Sequence, residues 1–156
     1  MEFDENNGIK EREDDYVEIY SKKAIWWFSI LASPLFGGIL LVLNLKSAGY
    51  KRAMYTVLAF VILYALVTNI LINEYISVYK IDINKAVANG NNSQLLTFCG
   101  IVIGFNIIGG LILAQYFFRK YFPDDDYYPK SVATPIFITV LIMLVLKLLG
   151  FGGLGL

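Results

Sequence analysis

Four long apolar runs without a charged residue dominate the chain. A helix rises about 1.5 Å per residue and must cross about 30 Å of hydrocarbon, so one crossing needs about 20 residues. Three runs reach that length, and the fourth reaches it when Lys147 extends its ammonium group towards the interface. The pattern predicts an all-α integral membrane protein with four transmembrane helices, at about 24–45, 53–73, 95–118 and 131–149.

A soluble bundle of four very apolar helices is the alternative to this interpretation. Each of its helices would carry a polar stripe at 3.6-residue spacing. Residues 57–67 show no polar face, and Thr139 is the one polar residue within 136–146. A chain of 156 residues is too short to surround four helices of this kind. The pattern therefore favours the membrane.

The composition agrees with a membrane protein and narrows its chemistry. Apolar residues make up 57% and charged residues 17% of the chain, and the mean hydropathy is +0.59, which excludes a disordered chain and an ordinary soluble globule. The 13 basic and 13 acidic residues cancel, so no net field would attract a nucleic acid.

The chain contains no histidine and one cysteine, Cys99, which we interpret as a packing residue of an apolar helix. Zinc sites built on histidine and catalytic groups that need it are therefore excluded. No glycine motif for a nucleotide is present. We expect no catalytic residue, no cofactor and no metal, and neither a nucleic acid nor a nucleotide as a partner.

The segments outside the apolar runs are predicted to be polar and mobile. Residues 1–23 hold eight acidic and four basic residues, a composition that cannot bury enough apolar surface to fold. We expect an acidic, mostly disordered tail there, a transmembrane domain over 24–151 and a flexible end over 152–156. The three aspartates 124–126 are interpreted as a solvated acidic loop, because adjacent carboxylates cannot all converge on one cation.

The orientation follows from the distribution of basic residues. With four spans, the short loops 46–52 and 119–130 share one side and carry six Lys and Arg residues, whereas the other side carries seven over a much longer stretch. Cytoplasmic loops are enriched in Lys and Arg. This density predicts that both termini lie outside a bacterial cytoplasmic membrane, although Lys22 and Lys23 beside the first span favour the reverse.

Proline and glycine interrupt the first predicted span, at Pro34 and at Gly37 and Gly38. A proline inside a membrane helix frees a backbone carbonyl one turn back, which small neighbouring residues help to satisfy. The favoured interpretation is a kinked, closely packed helix. The alternative is a broken helix that lines a site, as in transporters, with Gly109 and Gly110 as a second break.

The same stretch, with Asn44 and Lys46 behind the glycines, resembles a pattern of small uncharacterised bacterial multi-pass membrane proteins, written (S/G)-P-x-x-G-G followed by N-x-(K/R). The resemblance covers residues 33–52. It implies a bacterial membrane location, and it implies no catalytic activity.

Further small and polar residues are candidates for contacts between helices. Gly100 and Gly104 form a G-x-x-x-G motif whose shared face packs either within the chain or against another chain. Asn69, Asn106 and Thr139 are polar residues at membrane depth, which we expect to form hydrogen bonds across helices.

The function predicted from these features is non-enzymatic. We expect an accessory, scaffold or immunity-type interaction protein whose partners are the lipid bilayer and a second copy or another membrane protein, bound through glycine-rich helix faces. The alternative is a small oligomeric permease or channel that uses Pro34, Gly37, Gly38, Asn69 and Asn106. A membrane-embedded enzyme ranks third.

Overall fold

The computed structural model of the chain describes residues 18–81, 92–123 and 127–148. The predictions for the tail up to residue 17, for the aspartates 124–126 and for the end over 152–156 lie outside these residues. The described helices are α1 (Lys22–Leu31), α2 (Pro34–Ser47), α3 (Lys51–Val78), α4 (Asn92–Leu111, prolonged by the π-helical segment Ile112–Phe118 and a last turn, Arg119–Tyr121) and α5 (Ala133–Leu148). Two short strands, β1 (Glu18–Ile19) and β2 (Tyr128–Pro129), pair in parallel.

The predicted all-helical fold is confirmed, and two of the described helices are long and apolar enough to cross a membrane. Helix α3 has 28 residues, which corresponds to about 42 Å. The continuous helix Ser93–Tyr121 has 29 residues. Both exceed the roughly 20 residues that a crossing needs. Helix α2 and the segment Ala133–Ile142 of α5 are shorter apolar helices.

The first predicted span, 24–45, is not one continuous helix. Helix α1 ends where the backbone N–H groups of Ala32 and Ser33 both donate to the carbonyl of Phe28. Ser33 is extended, and Pro34 then begins α2. Proline suits this position, because its fixed φ matches the first helical turn and no N–H is needed there. The helix is therefore broken rather than kinked.

Helices α1 and α2 fold back on each other as a hairpin, which we define as residues 20–47. A Cβ built on Gly37 would overlap the Ser29 hydroxyl of α1, so only glycine permits this approach. We call the end of the hairpin opposite its turn the base. Asn44 joins the two halves of the hairpin there. Its side-chain oxygen accepts from the Tyr20 N–H at 2.8 Å, and its side-chain nitrogen donates to the Tyr20 carbonyl at 2.8 Å.

The two long helices pack on the hairpin through further glycines. A Cβ on Gly38 would overlap Val61 of α3. On α4, a Cβ on Gly109 would lie 2.8 Å from the Tyr64 ring, and one on Gly110 would lie 2.8 Å from Ser29 Cβ. The core between these elements contains the largest fully buried apolar side chains, namely Phe118, Ile19, Ile25, Leu41, Leu45, Leu113 and Val57.

The segments that follow α2 and α4 meet at the hairpin base. The Lys130 N–H donates to the Ile19 carbonyl at 2.9 Å, beside the β1–β2 pair. The Tyr50 ring, between α2 and α3, lies 6.0 Å from the ring of Tyr121 and 6.2 Å from that of Phe122. The base, the α2–α3 connection and the α4–α5 connection therefore lie at one end of the molecule.

Candidate functional site

The hairpin tip, residues 32–34, lies about halfway along the long helices. Pro34 faces Gly109 of α4, which also faces the Tyr64 ring of α3. Tyr64 follows Lys51 by 13 residues and precedes Val78 by 14, distances of about 20 and 21 Å along the helix. The tip is consequently as far from one end of α3 as from the other.

Polar groups converge on this tip from three helices. The Tyr64 hydroxyl donates to the Phe105 carbonyl of α4 at 2.6 Å. Asn106 Nδ2 donates to the Ile30 carbonyl at 3.4 Å, near the end of α1 where carbonyl groups lack intrahelical donors. The Ser33 hydroxyl is shielded from solvent and has no hydrogen-bond partner among the described residues.

A small cavity of about 40 Å³ opens beside these groups, on the side away from the base. A volume of this size holds a few water molecules, which suit an unpaired hydroxyl such as that of Ser33. The residues that line it are Ser33, Pro34, Leu35, Val61, Tyr64, Ala65, Thr68, Asn69, Ile72, Val102 and Asn106.

The chemistry available in this cavity is neutral hydrogen bonding. Two of its polar side chains already bond to their own helix: Thr68 donates to the Tyr64 carbonyl at 2.7 Å, and Asn69 donates to the Ala65 carbonyl at 2.9 Å. None of the lining residues is a carboxylate, a lysine or an arginine. In the described part of the chain, no cluster of three metal-binding side chains occurs either.

The predicted polar residues occupy three different settings. Asn106 bonds across helices to α1, whereas Asn69 is exposed and bonds within α3. Thr139 lies apart from both, in an apolar groove of about 200 Å³ between α2 and α5. The structure therefore places Asn69 and Asn106 beside the same cavity and leaves Thr139 outside it.

The predicted small residues separate into two groups. Pro34, Gly37, Gly38, Gly109 and Gly110 all lie at close contacts between the hairpin, α3 and α4. Gly109 and Gly110 lie inside the continuous helix α4, so they allow close approach and do not break the helix.

Gly100 and Gly104 form the second group. A Cβ on either residue would meet no atom of the described residues within 4 Å. Cys99, beside Gly100, is also exposed. The G-x-x-x-G face is therefore not used for packing within the described part of the chain.

Three residues with clear roles were not among the candidates, namely Ser33 and Tyr64 at the hairpin tip and Asn44 at its base. The sequence could have identified Tyr64 as a candidate. Tyrosine favours membrane interfaces, whereas Tyr64 lies in the middle of an uncharged run. Asn44 and Ser33 stand in the motif of the first run, but their roles depend on the fold of the hairpin. Sequence spacing alone does not predict that Asn44 lies next to Tyr20.

The comparisons with known proteins found no match. No protein-family model, no curated protein and no solved structure matches the chain.

Proposed function

We propose that the chain is a multi-pass protein of a bacterial cytoplasmic membrane in which α3, α4 and α5 cross and the hairpin enters from one side and returns to it. The contact between Tyr20 and Asn44 supports this arrangement, because it joins the two ends of the first apolar run. The length of α3 and α4 supports it as well. It has three crossings, whereas the run lengths alone predict four.

The charge distribution supports a cytoplasmic base. The hairpin base and the helix ends and connections beside it carry eight basic residues in the described ranges. The opposite side carries two, Lys80 after α3 and Lys147 near the end of α5. Because cytoplasmic segments are enriched in Lys and Arg, the base faces the cytoplasm. The N-terminal tail then lies inside and the end of α5 outside. The basic residues at the base are Lys22, Lys23, Lys46, Lys51, Arg52, Arg119, Lys120 and Lys130.

The proposed function is that of a non-enzymatic interaction protein that binds another membrane helix through the Gly100/Gly104 face of α4. The observation that carries it is the contrast between the two groups of glycines. At four glycines of the membrane region, neighbouring residues of the chain occupy the space that a Cβ would take. At Gly100 and Gly104 that space is open in the described residues. A glycine in a helix costs about 1 kcal/mol relative to alanine, and close approach of a second backbone offsets that cost.

Cross-linking on this face tests the proposal. Leu96 lies one turn before Gly100 and is 72% exposed. With added copper phenanthroline as oxidant, Leu96→Cys in a Cys99→Ala background should form a disulfide with a second copy, and with a thiol–amine cross-linker it should couple to a co-purifying chain. Gly100→Leu with Gly104→Leu should abolish both products. Ala59→Leu is the matched control, because it enlarges an exposed small residue of α3. Products that survive on the glycine variant would exclude this face.

A small oligomeric permease or channel is the second candidate function. The specific observation that favours it is the polar cavity at the hairpin tip, halfway along the helices. Transporters use discontinuous helices that end near the membrane midplane for substrate binding. In proteoliposomes, Asn69→Leu or Asn106→Leu should then abolish flux of a small polar solute. An interaction protein would retain its partner with both substitutions, so the two experiments separate the candidates.

A further inference from the structure

Two adjoining crevices at the hairpin base lie between the start of α1 and the end of α4. The first, of about 310 Å³, is lined by Lys22, Lys23, Trp26, Leu111, Ala114 and Gln115. The second, of about 260 Å³, is lined by Lys22, Phe118, Arg119, Phe122 and Pro123. Lys22 borders both, so the two are described together below as one crevice, with three cations around it.

These cations have no counter-charge in the described part of the chain. The acidic residues of the described ranges are Glu18 and Glu74, and neither forms an ion pair with Lys22, Lys23 or Arg119. Helix α1 also begins with Lys22 and has no acidic residue in its first turn. The positive end of a helix dipole favours anions, so two lysines at that end add a positive charge that no described residue balances.

Free hydrogen-bond donors accompany this charge. The N–H groups of a first helical turn have no intrahelical acceptor. Here the Ser21 hydroxyl accepts only the Ala24 N–H, at 3.2 Å, which leaves those of Lys22 and Lys23. About one turn further towards the tip, the Trp26 Nε1–H is shielded from solvent and has no acceptor among the described residues. The charge and the first-turn N–H groups together fit an anionic oxygen group near Lys22, and Trp26 adds a polar-edged aromatic wall beside it.

The walls of the crevice change from basic to apolar along α4. Arg119 lies at the base, and the crevice continues past Ala114 to Leu111, in the direction of the hairpin tip. This gradient matches a phospholipid, whose phosphate, ester carbonyls and acyl chains follow one another in the same order. Basic pockets between membrane helices on the cytoplasmic side bind anionic headgroups in this way.

We propose that this crevice is a binding site for an anionic phospholipid, with the phosphate held by Lys22, Lys23 and Arg119. The ester carbonyl region lies beside the Trp26 side chain, and an acyl chain runs along Leu111 and Ala114. The site rests on the membrane placement proposed above, because the base must lie at the headgroup level. It does not depend on the Gly100/Gly104 face.

Lipid titration of the full-length, delipidated protein in mild detergent tests this site. Bound phosphatidylglycerol and phosphatidylcholine are counted by native mass spectrometry. We expect the intact chain to prefer phosphatidylglycerol, and the variant Lys22→Gln/Lys23→Gln/Arg119→Gln to bind it at least about tenfold more weakly, since each basic residue near a membrane surface adds to the attraction of anionic lipid. The charge-preserving variant Lys22→Arg/Lys23→Arg/Arg119→Lys should bind nearly as well as the intact chain.

The matched control removes three charges from the same end but outside the crevice, as Lys46→Gln/Lys51→Gln/Arg52→Gln. Its affinity should fall less than about threefold, because general surface charge contributes only weakly at a distance. An equal loss in both triple variants would overturn the proposal, as would an intact chain without preference for phosphatidylglycerol. If the triple variant does not elute from a size-exclusion column like the intact chain, it is misfolded, and Arg119→Gln alone is used in its place.

Two further experiments distinguish a bound lipid from other possible occupants of the crevice. Complete displacement of phosphatidylglycerol by millimolar inorganic phosphate would assign the site to a free phosphate. Binding that appears only after removal of residues 1–17, which hold seven acidic residues, would assign it to the chain's own tail. Retained cross-linking through Leu96→Cys in the crevice variant would show that the proposed interaction face is unaffected, so the failure of one proposal is distinguishable from failure of the other.

Discussion

Several small or polar residues of the first apolar run make contacts that depend on the hairpin. Because they lack a Cβ, Gly37 allows close approach of α1 and Gly38 allows close approach of α3. Asn44 forms hydrogen bonds with the backbone of Tyr20 at the base. Pro34 begins the returning helix. The pattern (S/G)-P-x-x-G-G followed by N-x-(K/R) is therefore consistent with a physical rule for folding an apolar segment back on itself: one turn, two close approaches and one closing hydrogen-bond pair.

Replacement of Asn44 should open the hairpin base. Asn44 is 1% exposed, and Asn44→Leu would leave the buried N–H and carbonyl of Tyr20 without their partner. We expect the free energy of unfolding to fall by about 2–4 kcal/mol, because each unsatisfied buried group costs about 1–3 kcal/mol. Unfolding of the purified protein by denaturing detergent measures this loss.

The control is Asn69→Leu, which makes the same chemical change at an exposed site that bonds only within its own helix. It should alter stability by less than about 1 kcal/mol. Equal losses for the two variants would show that Asn44 does not close the base.

Alanine substitutions at two glycines should change the free energy of unfolding in opposite directions. In Gly37→Ala, the new Cβ meets the Ser29 hydroxyl and the Ile25 carbonyl, so we expect a loss of about 1–3 kcal/mol from overpacking. In Gly104→Ala, the Cβ meets nothing within 4 Å in the described residues, so the isolated chain should gain up to about 1 kcal/mol of helix stability. The same unfolding assay compares the two, and a loss at both positions would contradict the open Gly104 face.

At the scale of elements, length and hydropathy predict the long helices well and the hairpin poorly. The predicted spans 53–73 and 95–118 lie within α3 and within the continuous helix Ser93–Tyr121. The 24–45 run was as long and as apolar, yet it folds as α1 and α2. Hydropathy scores the same residues in the same way for a straight helix and for a hairpin, so it cannot separate them. The deciding contacts join residues 24 positions apart, such as Tyr20 and Asn44.

A pair of cysteines can distinguish the hairpin from a straight helix. Lys23 and Ser47 both lie at the base, whereas a continuous helix would separate them by about 36 Å. In a Cys99→Ala background, Lys23→Cys with Ser47→Cys should therefore be bridged within one chain by a short bifunctional thiol reagent. The mass of the intact protein reports one bridging reagent rather than two singly attached ones. The pair Leu31→Cys with Ser47→Cys joins the tip region to the base and should remain unbridged.

At the scale of the whole molecule, the re-entrant hairpin proposed above changes which segments share a side of the membrane. Four crossings would place Lys22 and Lys23 opposite the basic connections at Lys46 and Arg119, which opposes the charge bias of membrane insertion. In the hairpin arrangement all these residues lie at one end. The proposed re-entrant hairpin thus removes the conflict in the charge distribution that arises when the first run is counted as a crossing.

Accessibility of single cysteines tests this topology in intact cells. In a Cys99→Ala background, Asn92→Cys should react with a membrane-impermeant maleimide from outside under both arrangements, because residue 92 begins α4 at the end remote from the base. Asn7→Cys in the N-terminal tail discriminates between them. Four crossings place it outside beside residue 92, whereas a re-entrant hairpin with a basic cytoplasmic base places it inside, where it reacts only after the cells are permeabilised. Gly49→Cys, in the α2–α3 connection, should behave like Asn7→Cys, and labelling of both Asn7→Cys and Asn92→Cys in intact cells would exclude the re-entrant hairpin.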